Sequence, residues 1–175
     1  FNALATGGAV VASQALGAKK KETGKIVANQ LILICIIFSV IIAGICILFD
    51  RQILTLIYGK VEPEVMEQAV TYLFITGFSF PFISVYDGAS SLLRSMGKAS
   101  TSLIVSAIMN GINILCNAIF VFGYGMGIAG VGYGTLISRV VAGLIVIVLL
   151  RNEKYDLHID KYSRFGWDGK IIGKI

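Results

Sequence analysis

Charge is what this sequence has least of. Only 14% of its 175 residues are Asp, Glu, Lys or Arg, while 56% are hydrophobic, against roughly a quarter charged and about 45–50% apolar in a soluble domain. The mean hydropathy of +0.82 points the same way, and a soluble fold is excluded. Cysteine is also sparse. Cys35, Cys46 and Cys116 are odd in number, lie inside apolar runs and form no C-x-x-C pair, so they read as buried free thiols, with no disulfide or metal site implied. A lone loop histidine, His158, is assigned nothing. No H-E-x-x-H, G-x-S-x-G or G-x-x-x-x-G-K-[ST] occurs, so no catalytic constellation supports an enzyme. No basic n-region with a cleavage site opens the chain. It starts at Phe1 inside an apolar segment, and the expectation is a piece of a longer protein. The net charge of +5 would suggest nucleic acid in a soluble chain. Here the basic residues fall between apolar runs, so membrane topology accounts for them and no nucleic-acid partner is expected.

What is there is long apolar blocks. Charges cluster at 19–25, 50–67, 94–98 and 151–174, and the stretches between are nearly bare. A bilayer core of about 30 Å needs about 20 apolar residues in a helix. Lipid favours the helix because each backbone polar group must be satisfied within its own segment or in a closed barrel. Barrel strands would alternate with a period of two, and LILICIIFSVIIAGICILF does not. The fold class is therefore an all-α polytopic membrane protein. Residues 1–150 read as the membrane unit: the small-residue end of one span at 1–18, then four full spans at about 26–49, 68–92, 101–124 and 128–150. Pro81 is expected to kink the second of these. ILTLIYG, between the first two full spans, is expected to form a short amphipathic helix along the membrane surface. A glycine-rich hinge, GYGMG, separates the last two. Residues 151–175 read as a polar, basic linker with Trp167 suited to the headgroup level.

Loop charge gives an independent check. Alternating the loops places twelve Lys/Arg on one side (Lys19, Lys20, Lys21, Lys25, Arg94, Lys98, Arg151, Lys154, Lys161, Arg164, Lys170, Lys174) and two, Arg51 and Lys60, on the other. Cytoplasmic loops hold the basic excess. Loops 19–25 and 94–98 and the tail 151–175 are therefore expected to be cytoplasmic, in a multi-pass protein of the plasma (inner) membrane.

Groups that are costly in hydrocarbon are where function should show. The third full span carries Ser106, Asn110, Asn113 and Asn117. At about 100° per residue the three asparagines fall within about 60° of one another. Such a stripe must face other helices or a wet cavity. Two readings stay open: interhelical hydrogen bonding, or carbonyl oxygens that coordinate a cation or meet a protonated acid. Asp87 lies seven residues before Arg94, with Ser90 and Ser91 on its helical face. It is either a functional acid or a wetted residue near the cytoplasmic end. Arg139 is close to midspan, where an arginine costs at least about 2.5–3.5 kcal/mol. It is expected to pair with an acid or with helix carbonyls, the candidates being Asp87 and an acid on a missing part of the chain. Asn110, Asp87 and Arg139 are thus candidate residues of a transport path. Gly125, Gly127, Gly130, Gly132 and Gly134 suit a tight turn and close helix packing.

The order of these features resembles the amino-terminal lobe of the multidrug and toxic compound extrusion (MATE) transporters. The pieces that carry the likeness are VASQALGAKK after a small-residue helix, then YLFITGFSFPFISVYDGASSLLRSMGKAS, then NGINILCNAIFVFGYGMGIAGVGYGTLIS. The resemblance implies helices two to six of a six-helix lobe, in a twelve-helix transporter of two related lobes. It also implies a cation-coupled antiporter, with Na+ or H+ as coupling ion and no other cofactor, that exports small organic compounds by alternating access. Its partners would be substrate, membrane lipid and the remaining helices. The family's amino-lobe cation or proton site would map onto Asn113, Asn117 and Thr135. Oxygen ligands suit a hard cation, and a site between helices near the midplane suits a transporter. Asn117 stands where some relatives carry aspartate, which leaves the coupling ion open. Alternatives are a lipid-linked oligosaccharide flippase of the same superfamily, favoured if Arg139 lines the cavity, and a membrane-embedded enzyme or scaffold.

Overall fold

The computed structural model describes residues 2–59, 61–152 and 155–157, and every described element is helical. In chain order these are α1 (Asn2–Gly17), α2 (Lys21–Leu48), α3 (Asp50–Tyr58), α4 (Pro63–Gly77), α5 (Phe80–Ser95), α6 (Ala99–Ala118) and α7 (Gly127–Leu150). A π-helical turn, Ile119–Gly123, carries α6 on to 25 residues. At about 1.5 Å per residue, α2, α6 with its extension, and α7 each exceed the roughly 30 Å hydrocarbon thickness. The three lie over the stretches 26–49, 101–124 and 128–150 where spans are expected. α2 begins five residues before the expected 26, because the charged turn Lys21–Lys25 is helical though not apolar.

The remaining span differs from expectation. The 68–92 segment is not one kinked helix but two, α4 and α5, set at 53° to each other across a short break. Pro81 is not at the break itself. It is in the first turn of α5, where its missing N–H would have had no helical acceptor anyway. The interruption falls on Phe78 and Ser79. The ILTLIYG stretch forms the short helix α3, with Leu54 buried and Leu56, Ile57 and Tyr58 exposed.

Polarity is arranged for lipid. α1 buries Ala5, Gly8, Ala9 and Ala12, a small-residue face that lets α2 and α5 approach closely. The core joins Val27, Leu31 and Cys35 of α2, Val85, Ala89 and Leu92 of α5, and Ala142 and Val146 of α7. Polar side chains also lie inside, among them Ser39, Ser84, Ser90 and Ser138, whereas Val40, Ile41, Leu103, Phe122 and Val148 face out. α6 buries only Ser102 and Val105. It meets the bundle mainly through α7.

The basic segments gather at one end. Lys21 Nζ lies 2.7 Å from Asp156 Oδ1. Leu157 is fully buried, its backbone N–H bonds Met96 Sδ at 3.3 Å, and its side chain lies over Gly24. The α1–α2 turn, the α5–α6 turn and the chain beyond α7 therefore share that end. At the other end the start of α4 (Glu64, Glu67, Gln68) lies beside the α6–α7 turn. That turn is glycine-dependent: Gly125 and Gly127 have φ of +65° and +55°, a region that L side chains avoid. Trp167, His158 and the basic residues Lys60, Lys154, Lys161, Arg164, Lys170 and Lys174 lie outside the described residues.

Candidate functional site

The facing surfaces of α6 and α7 hold a connected set of neutral polar groups. Asn117 Nδ2 donates to Asn113 Oδ1 at 3.1 Å, one helical turn away. Asn113 Nδ2 in turn reaches across to Thr135 Oγ1 at 3.3 Å and Ser138 Oγ at 3.4 Å on α7. Ser138 Oγ donates to Thr135 O at 2.9 Å, which fixes its hydroxyl. Thr135 and Ser138 are buried and the asparagines half-buried. The sequence expectation named Asn113, Asn117 and Thr135, and the fold brings all three together. Ser138 was missed. Its signal was its spacing, three residues beyond Thr135 and so on the same helical face.

Gly134 makes this approach possible. A Cβ at that position would collide with Asn117 Oδ1 and lie 3.1 Å from the Asn117 backbone nitrogen. That Oδ1 is buried and has no hydrogen-bond donor among the described residues. A buried acceptor left without a donor costs about 1–3 kcal/mol, so it is the atom in this set that gains most from a cation or a donor. The set offers four neutral oxygens: Oδ1 of Asn113 and Asn117, Oγ1 of Thr135 and Oγ of Ser138. None of these groups titrates near neutral pH. Among the described residues no three His, Cys, Asp or Glu side chains gather as metal ligands.

The other candidate path residues lie apart from this set. Asn110, one turn before Asn113, is exposed on the open side of α6, and its side chain makes no hydrogen bond among the described residues. Asp87 is half-buried on α5, again with no hydrogen bond or ion pair there. Ser90, one turn further, has a buried hydroxyl with no partner among the described residues, while Ser91 accepts from Arg94 Nη2 at 2.8 Å. The expected candidate Asp87 is corrected: among the described residues Arg139 pairs with no acid. Its Nη1 donates to Ser79 Oγ at 2.7 Å, at the break between α4 and α5. The reason is register. Gly143 of α7 packs on Phe82 of α5, which aligns Arg139 with Ser79 and leaves Asp87 eight residues, about 12 Å, further along.

With this geometry in hand, the chain can be set beside known proteins. It is 31% identical over 165 residues to the probable multidrug resistance protein YoeA of Bacillus subtilis (strain 168), covering 92% of this chain and 35% of that protein. It is 29% identical over 160 residues to the multidrug export protein MepA of Staphylococcus haemolyticus (strain JCSC1435), covering 90% and 35%. Among solved structures, the inward-facing conformation of a multidrug resistance MATE family transporter of the MOP superfamily matches with a TM-score of 0.89 at 23% identity, over 99% of this chain and 39% of that one. An outward-facing conformation matches with a TM-score of 0.87 at 25% identity, over 99% and 38%. The chain thus spans about a third of the length of the curated relatives it matches. The MatE family model matches residues 1–119, which include both cluster asparagines. Helical fold, buried polar seam and sequence agree, and the chain belongs to the MatE family.

Proposed function

We propose that this chain forms most of one lobe of a cation-coupled exporter of small organic compounds, working by alternating access across the plasma membrane. The observation that supports this reading best is the α6–α7 amide and hydroxyl set. It places four oxygens inside a membrane bundle, one of them a buried acceptor with no donor among the described residues. In hydrocarbon such a set is costly unless it is used. Neutral oxygens suit Na+, a hard cation that exchanges water for amide and hydroxyl ligands. Coupling to H+ instead would need a nearby acid, because amides and hydroxyls do not take up a proton at neutral pH. In either case Asn113 holds the set together, bonding Asn117 on its own helix and both hydroxyls on α7. Family membership and relatives named for multidrug export favour drug-like organic substrates. The basic segments at 19–25 and 94–98, with the chain after 150, would then face the cytoplasm.

The test is accumulation of a fluorescent organic cation in cells stripped of their own efflux pumps. Expression of the full-length protein is expected to lower accumulation, and ionophores that collapse the Na+ and H+ gradients are expected to restore it. Accumulation indifferent to expression would refute the export reading. A flippase of lipid-linked oligosaccharides would need Arg139 as a cavity-lining base. Its hydrogen bond to Ser79 gives that reading no support.

A further inference from the structure

A charged side chain near midspan has to be explained by what it touches. Arg139 touches the one place in the described bundle where a span is interrupted. At that break the last carbonyls of α4 lose their helical donors. Thr76 O is met by the Ser79 backbone N–H at 2.9 Å and by Ser79 Oγ at 2.6 Å. The same hydroxyl accepts from Arg139 Nη1 at 2.7 Å. Ser79 is fully buried, so water does not compete for it. The result is a relay, guanidinium to hydroxyl to carbonyl, that brings a positive charge to the carboxyl-terminal end of α4. The helix dipole is negative there, so a cation brought to that end is stabilised. That offsets part of the cost of a midspan arginine.

We propose that Arg139 is a positioning residue that sets the bend of the α4–α5 span, clamping it through Ser79 to the turn of α7 that also carries Thr135 and Ser138. Pro81 alone does not do this. Its ring removes a donor that the first turn of α5 would leave unused, and so it permits a break without fixing the angle. The angle is fixed where a third helix grips the break. Because Thr135 and Ser138 stand within one turn of Arg139, a change at the amide set moves the anchor of the bend, and the reverse. The bend itself does not depend on the export reading. Only the transport readout below rests on it.

The experiment uses the full-length protein in lipid nanodiscs, with the native cysteines replaced and nitroxide labels at positions 64 and 95. From helix rise and the bend angle of 53°, the labelled backbone sites lie about 40 Å apart when the span is bent and about 45 Å apart when it is straight. Arg139→Met is expected to broaden the distance distribution and shift it toward the longer value. Ser79→Ala is expected to do the same, and Arg139→Lys to retain the shorter distance. In proteoliposomes Arg139→Met is expected to lower the maximal efflux rate about tenfold with KM unchanged, as when a conformational step is slowed. Arg139→Lys is expected to rescue it. An unaltered distance distribution in both Arg139→Met and Ser79→Ala would overturn the proposal. So would a rise in KM confined to anionic substrates with the distance unchanged, which would make Arg139 a substrate contact. If Arg139→Met does not insert, Ser79→Ala and Arg139→Lys decide the question by the same distance.

Discussion

Replacing Gly134 by alanine is the smallest change that reaches the α6–α7 set, because the glycine touches it without belonging to it. The added methyl would occupy the space of Asn117 Oδ1 and lie 3.1 Å from the Asn117 backbone nitrogen. Rotating the Asn117 carboxamide relieves the first contact and breaks its 3.1 Å bond to Asn113. No rotation relieves the second, so the two helices must also part by a few tenths of an ångström. That parting weakens the interhelical bonds from Asn113 to Thr135 and Ser138, and one interhelical hydrogen bond in a membrane is worth about 0.6–2 kcal/mol. At about 1.4 kcal/mol per decade, this predicts a coupling-cation half-saturation weakened about 3- to 30-fold. The assay is efflux from proteoliposomes at a series of imposed cation concentrations. Gly132→Ala is the control. Its methyl would meet Ile75 side-chain atoms at 3.2 Å, a milder packing insult two residues earlier on α7 that touches no amide. If Gly134→Ala leaves the half-saturation unchanged, or Gly132→Ala weakens it equally, the cation-site reasoning fails.

Three further outcomes follow from the structure. Asn117→Asp puts a carboxylate where the unpartnered oxygen lies and should tighten the half-saturation about tenfold or more, since affinity for hard cations rises with ligand charge; titration of cation-dependent efflux checks this. Leu157→Ala should lower stability by about 2–5 kcal/mol, the usual cost of truncating a fully buried leucine, read as a fall in the thermal midpoint of the purified full-length protein. Lys21→Ala should change that midpoint far less, because both partners of the Lys21–Asp156 pair are more than half exposed and such pairs contribute little.

Length and hydropathy were enough to place α2, α6 and α7, because lipid leaves an apolar block few alternatives to a helix. The small-residue face of α1 was equally plain. The stripe Asn110, Asn113, Asn117 correctly pointed at α6, yet only the latter two meet α7, and periodicity gives the direction of a face but not the height at which a neighbour crosses it. The break in the 68–92 span was misplaced, because a proline read in isolation suggests a kink where it stands. In the fold it begins a new helix, and Ser79 before it carries the interruption. Arg139 was expected to pair with an acid or with helix carbonyls. Its partner, a hydroxyl relaying charge to a helix end, involves residues 60 positions apart, and no local pattern announces such a pair. Leu157 was lost in a polar stretch for the same reason, since one leucine has no periodicity.

The most direct test of the account is efflux from proteoliposomes under an imposed Na+ gradient and, separately, an imposed pH gradient, for the wild-type full-length protein and Asn113→Ala inserted at equal density. One gradient is expected to drive wild-type efflux, and Asn113→Ala is expected to retain only passive leak under that gradient. Gradient-driven efflux by Asn113→Ala at the wild-type rate would contradict it.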